Sequence, residues 1–165
     1  HFLSAYRQIA LFALLQHPDS ALIWGRTALE IARPFVSDTS SRTLRLYDWL
    51  NYYTDAAINV TYYTLLTQSA RPEVIRQALG LCEDIVSLHQ KSYLRSGNLI
   101  YTNAGHLALI AGNHEKALAY YKKYLEIGFY GYGSSMDVLL KDWRDLAEAK
   151  VQLPQLDWVK SQLGW

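Results

Sequence analysis

Apolar residues recur at spacings of three and four along almost the whole chain, the signature of amphipathic helix. From Phe2 to Gln16 the stripe is Phe2, Ala5, Ile9, Phe12 and Ala13, and His17-Pro18-Asp19 ends it. Pro18 suits the first turn of a following helix and Asp19 favours its dipole. That second helix is predicted to run to about Ala32 and to stop at Arg33-Pro34, with Ser37-Asp38-Thr39-Ser40-Ser41 as loop and N-cap. Between Arg42 and Ser69 there is neither Gly nor Pro, which predicts one long helix or two nearly continuous ones with Leu46, Leu50, Tyr53, Ala57 and Val60 on one face. Arg71-Pro72-Glu73 restarts the chain, the helix from Pro72 continues to about Leu94, and Ser96-Gly97 breaks it. Two short helices then flank a Gly112-Asn113 turn within residues 98–127. After the Gly128–Gly133 loop, Ser134 and Asp137 are spaced as a capping box for a helix through Leu146. Pro154 precedes a last short helix bearing Leu156, Trp158, Val159 and Leu163. The fold class is all-α, and no strand is needed anywhere.

The 98–127 hairpin sets aromatic Tyr101 four residues before Gly105, Gly112 at the turn, and Ala117 four before Tyr121. Gly105 and Ala117 mark where two helices approach closely, and the tyrosines fill the space beside them. With these residues the hairpin resembles a tetratricopeptide repeat. The resemblance implies antiparallel helical hairpins stacked as a short right-handed superhelix, one domain over residues 1–165. Residues 98–127 are its best-matched repeat and residues 134–165 resemble a C-terminal cap. The turns beginning at His17, Arg71 and Asn113 lie 54 and 42 residues apart, longer than the family period of about 34, so the array is irregular. Leu29-Glu30-Ile31 and Leu125-Glu126-Ile127 echo each other late in their helices.

In that family the first helix of each pair lines a concave groove. The hairpin's register carried across puts Thr102, Asn103 and His106 on it, and alignment by the turns adds Tyr6, Arg7, Thr61 and Thr64. Asn103 falls where many members carry a peptide-binding asparagine, whereas Thr102 replaces the neighbouring basic residue, so the family's two-carboxylate clamp is not implied. Phe129, Tyr130 and Tyr132 in the glycine-punctuated loop are a second candidate contact, since exposed aromatics concentrate at binding hot spots.

Composition narrows the chemistry. With 165 residues, half of them apolar, and a formal charge of +1, the chain suits one core and no charge-driven partner, which disfavours nucleic acid and membrane surfaces. Cys82 is the sole cysteine, so no internal disulfide forms and a reducing, cytoplasmic setting is expected. The same residue sits in an apolar helical pattern and reads as a buried structural thiol. The five histidines form no His-Glu-x-x-His pattern, which leaves no expected metal or cofactor. The glycine cluster lacks the Lys-Ser/Thr of a phosphate loop, and no nucleophile elbow accompanies any Ser, His and Asp. Asn59-Val60-Thr61 matches a glycosylation sequon but lies mid-helix. The chain starts at His1 inside a helical pattern and reads as the C-terminal piece of a larger polypeptide.

The expected function is therefore a non-catalytic module binding a protein or peptide segment, possibly from another domain of the same polypeptide. A ligand- or signalling-peptide-sensing domain of a regulator is the alternative; an enclosed apolar pocket would favour it over an open groove.

Overall fold

Pro18 and Pro72 each begin a helix, because a first-turn proline forfeits only an N–H that has no intrahelical partner. The computed structural model describes residues 18–37, 44–92, 98–128 and 134–165. Seven helices fill them: α1 (Pro18–Ser37), α2 (Leu44–Gln68), α3 (Pro72–Ser92), α4 (Leu99–Ile110), α5 (His114–Ile127), α6 (Ser135–Glu148) and α7 (Leu156–Gln162). No strand occurs among the described residues. No helix there is long and apolar enough to cross a membrane. The helix expected over residues 2–16 lies outside the described residues, as do Tyr6, Arg7, Phe129, Tyr130 and Tyr132.

The stretch between Arg42 and Ser69 forms a single helix of 25 residues. The predicted stop at Arg33-Pro34 is overturned: α1 runs through Pro34 to Ser37. An interior proline costs about 3 kcal/mol through its missing donor and ring clash. Ala32 and Val36 on either side of it are both buried in the core, and that burial keeps the last turn helical.

Successive helices pack on one another from α1 to α6, and two further contacts skip a neighbour, α2 against α4 and α5 against α7. One core runs through them, from Leu22, Ala28 and Ala32 in α1, through Tyr53, Ala57, Leu65, Cys82 and Ile85, to Leu107, Tyr121, Leu139 and Val159. Of the face predicted on α2, Leu50, Tyr53, Ala57 and Val60 are all buried.

The α4–α5 hairpin closes at both ends. At its turn Gly112 takes φ +81, and two bonds, from Gly112 N to Leu109 O (2.9 Å) and from Asn113 N to Ala108 O (2.8 Å), cap α4. Asn113 Oδ1 then accepts from Lys116 N (3.0 Å) to start α5. At the open end Asn98 Nδ2 donates to Gly128 O (2.5 Å). Inside, a Cβ placed on Gly105 would lie 2.4 Å from Tyr121 Cε1, so this glycine is the seat of a tyrosine ring.

The capping box expected at α6 forms with Asp in the third position: Ser134 Oγ accepts from Asp137 N, and Asp137 Oδ2 accepts from Ser134 N, both at 3.1 Å. Ser134 Oγ also donates to Asp137 Oδ2 (2.8 Å), and that bond first, then the one from Ser134 N, holds the Asp137 carboxyl below its ordinary pKa. Beyond it, Trp143 meets Tyr121 edge to face (5.6 Å, 88°) and Trp165 (4.9 Å, 69°), with Lys160 over its ring. Trp158 packs likewise on His114 (4.7 Å), so α6 and α7 cover the far side of α5.

Candidate functional site

Alternate helices α2, α4 and α6 share one side of the molecule and enclose a half-open cavity of about 280 Å³. Ile58, Asn59 and Tyr62 reach it from α2, Leu99, Thr102 and Asn103 from α4, and Val138, Lys141 and Asp142 from α6. Of the predicted groove residues among the described ones, only Thr102 and Asn103 line it.

Both belong to its floor. Thr102 is 0% exposed and its hydroxyl donates to Leu99 O (2.9 Å). Asn103 is 2% exposed, and its Nδ2 donates to Ile58 O and to Thr61 Oγ1, each at 2.8 Å, tying α4 to α2. Thr61 is the other half of that tie: its hydroxyl donates to Ala57 O (2.7 Å) while accepting from Asn103. Substituting Asn103 therefore removes two bonds between α4 and α2 at once, which makes it a helix-positioning residue before it is a ligand.

His106 lies deeper, with no exposed surface. Its Nδ1 is 2.8 Å from Tyr121 Oη and its Nε2 is 3.7 Å from Asp142 Oδ2. Burial holds the Tyr121 hydroxyl protonated by pushing its pKa well up, and that hydroxyl shares a hydrogen bond with the His106 ring. His106 thus lies close beneath Asp142 without a hydrogen bond to it. His106 Nε2 and the Tyr124 hydroxyl have no hydrogen-bond partner among the described residues, and burial, with Asp142 nearby, pushes the Tyr124 pKa up to about 12.

Thr64 is brought to a different place. Successive residues turn by about 100° on a helix, so Ile58, Asn59 and Tyr62 face the α4–α6 cavity while Val60, Thr64 and Gln68 face a separate one between α1 and α3. Alignment by the turns chose Thr61 and Thr64, one position off the lining face. Ile58 and Tyr62, four apart with Asn59 between them, carry the signal of that face.

The rim is polar and reactive in no obvious way. Lys141 pairs with Asp145 one turn along α6. Burial first, then the Asp142 and Asp145 carboxylates and a hydrogen bond to Asp145, push the Tyr62 pKa well above its ordinary value, so Tyr62 presents a hydroxyl and not a phenolate. Cys82 is fully buried, its pKa pushed up to about 12 mainly by burial. No group of three or more His, Cys, Asp or Glu is placed to hold a metal ion among the described residues.

No family model, curated protein or solved structure matches the chain. Its function has to be read from the helices themselves.

Proposed function

We propose that this chain is a tetratricopeptide-like helical-repeat module that binds a protein or peptide segment without catalysis, the α2–α4–α6 cavity receiving an anchoring side chain. In this reading the pairs α2–α3 and α4–α5 stack as hairpins into a short superhelix, with α6 and α7 as the C-terminal cap. The observation that carries it is the cavity at the junction of α2, α4 and α6, with an internally bonded floor and a rim of Asn59, Tyr62 and Lys141. A floor whose polar groups are already satisfied holds the pocket in shape before a ligand arrives, which lowers the ordering cost of binding. Small-molecule chambers usually enclose about 300–1,000 Å³; a half-open pocket of about 280 Å³ suits one side chain of an extended segment better than a whole ligand. That favours peptide recognition over the sensor reading. The segment can belong to another part of the same polypeptide.

The test is selection of random peptides displayed on phage against the wild-type chain, followed by calorimetric titration of the enriched peptides. Val138→Lys fills the pocket from its half-buried edge and Tyr62→Ala removes its wall. Either change is expected to weaken binding about tenfold or more with helicity unchanged. Selected peptides that bind both variants as tightly as wild type, or an absence of any enriched peptide, overturn the assignment.

A further inference from the structure

The second face of α2 opens on a cleft of about 430 Å³ between α1 and α3. Arg26 and Arg33 from α1 and Arg71 from the α2–α3 turn line it, with Gln68 and Gln77, and no acidic residue does among the described residues. Its apolar floor includes Leu29, Val60 and Leu81. Arg26 and Arg71 give the cleft two cationic forks in a chain whose formal charge is only +1.

Arg26 and Arg71 have no carboxylate partner among the described residues. Glu73, at the cleft's edge, is already taken up: it accepts from Arg76 (2.5 Å) and from the cleft's own Gln77 (3.2 Å), which hold its carboxyl below its ordinary pKa. A guanidinium fork over an apolar floor is matched by a carboxylate next to an aliphatic side chain. We infer that this cleft is a second binding site, taking an acidic peptide segment in which glutamate or aspartate alternates with leucine-like residues. Charge complementarity carries the choice, and the half-open shape suits a chain that passes through. The site lies on the opposite flank of α2 from the α4–α6 cavity, so one helix supports two independent contacts.

The experiment is fluorescence anisotropy of the full chain with a short labelled peptide alternating Glu and Leu, beside its Gln-for-Glu counterpart. The acidic peptide is expected to bind, more weakly as salt rises. R26Q/R71Q is expected to lower its affinity about tenfold or more, while the melting temperature stays near wild type. Tyr62→Ala is expected to leave this affinity unchanged, separating the cleft from the cavity. Equal binding of the Gln counterpart, equal binding by R26Q/R71Q, or no binding at low salt overturns the inference. So does inorganic phosphate that displaces the peptide at low millimolar concentration, because a free anion would then be the better occupant.

Discussion

Gly105→Ala adds one methyl group where the ring of Tyr121 already stands. The new Cβ would sit 2.4, 2.7 and 2.8 Å from Cε1, Cζ and Cδ1 of that ring, against an ordinary carbon contact of about 3.5–4.0 Å. The ring is fixed on other sides as well, by the His106 hydrogen bond and by the edge of Trp143. Overpacking of this kind costs about 1–3 kcal/mol. Displacing the ring also forfeits a buried hydrogen bond of about 1 kcal/mol and an aromatic contact of about 0.5–1.5 kcal/mol. Alanine returns about 1 kcal/mol of helix propensity. The net expectation is a loss of about 2–4 kcal/mol, a large share of the ~5–15 kcal/mol that holds a domain together. Urea denaturation followed by circular dichroism reads it as a lower midpoint at constant slope. Gly80→Ala is the matched control: Gly80 lies inside α3 with open space where a Cβ would go, so this change is expected to gain about 0.5–1 kcal/mol. Adding Tyr121→Leu to Gly105→Ala should cost at least about 1 kcal/mol less than the two changes separately, since the smaller side chain vacates the clash. A Gly105→Ala protein as stable as Gly80→Ala, or strict additivity in the pair, refutes the reasoning.

Three further outcomes follow from single positions. Lys150 takes φ 61 at the end of α6, a left-handed conformation that suits glycine, so Lys150→Gly is expected to raise stability by about 0.5–1 kcal/mol in the same denaturation assay. His89 is buried against Thr54 (Oγ1 to Nε2, 3.0 Å), and burial lowers its pKa below the ordinary value near 6.5. The unfolded chain then takes up the proton first, so the contribution of His89 is complete above about pH 6.5 and declines as pH falls below it. Denaturation midpoints should drop between about pH 7.5 and pH 5.5, and His89→Gln should flatten that slope; an equally steep slope in the variant contradicts the assignment. Cys82 should react with a maleimide only after denaturation, as its burial and raised pKa require, and rapid labelling of the native chain would contradict its placement.

The helices were legible in the sequence because their punctuation is local. Pro18, Pro72, Gly112 and the Ser134–Asp137 pair act through their own backbone, and each stands where the pattern required it. Pro34 misled because its local cost is outweighed by burial of Ala32 and Val36, a tertiary quantity. The end of α6 carries the same pair of capping bonds as the end of α4, from Lys150 N to Ala147 O and Val151 N to Leu146 O (both 2.9 Å), yet it has lysine in place of glycine and sends no signal. The site was half legible. Thr102 and Asn103 follow from the hairpin's own register, whereas the lining face of α2 depends on how that helix is rotated against α4. A one-residue error there turns a side chain through about 100° and moves Thr64 into another cavity.

The bond from Asn103 to the backbone of α2 divides the labour between positions. With α2 and α4 pinned from beneath by Asn103 and Thr61, Asn59, Tyr62, Val138 and Lys141 at the cavity edge are not needed to hold those two helices together. Substitutions there can reshape or recharge the pocket while α2 and α4 stay joined. On the proposed binding reading, a lineage of such chains can change what it recognises through a handful of rim substitutions, without first having to refold.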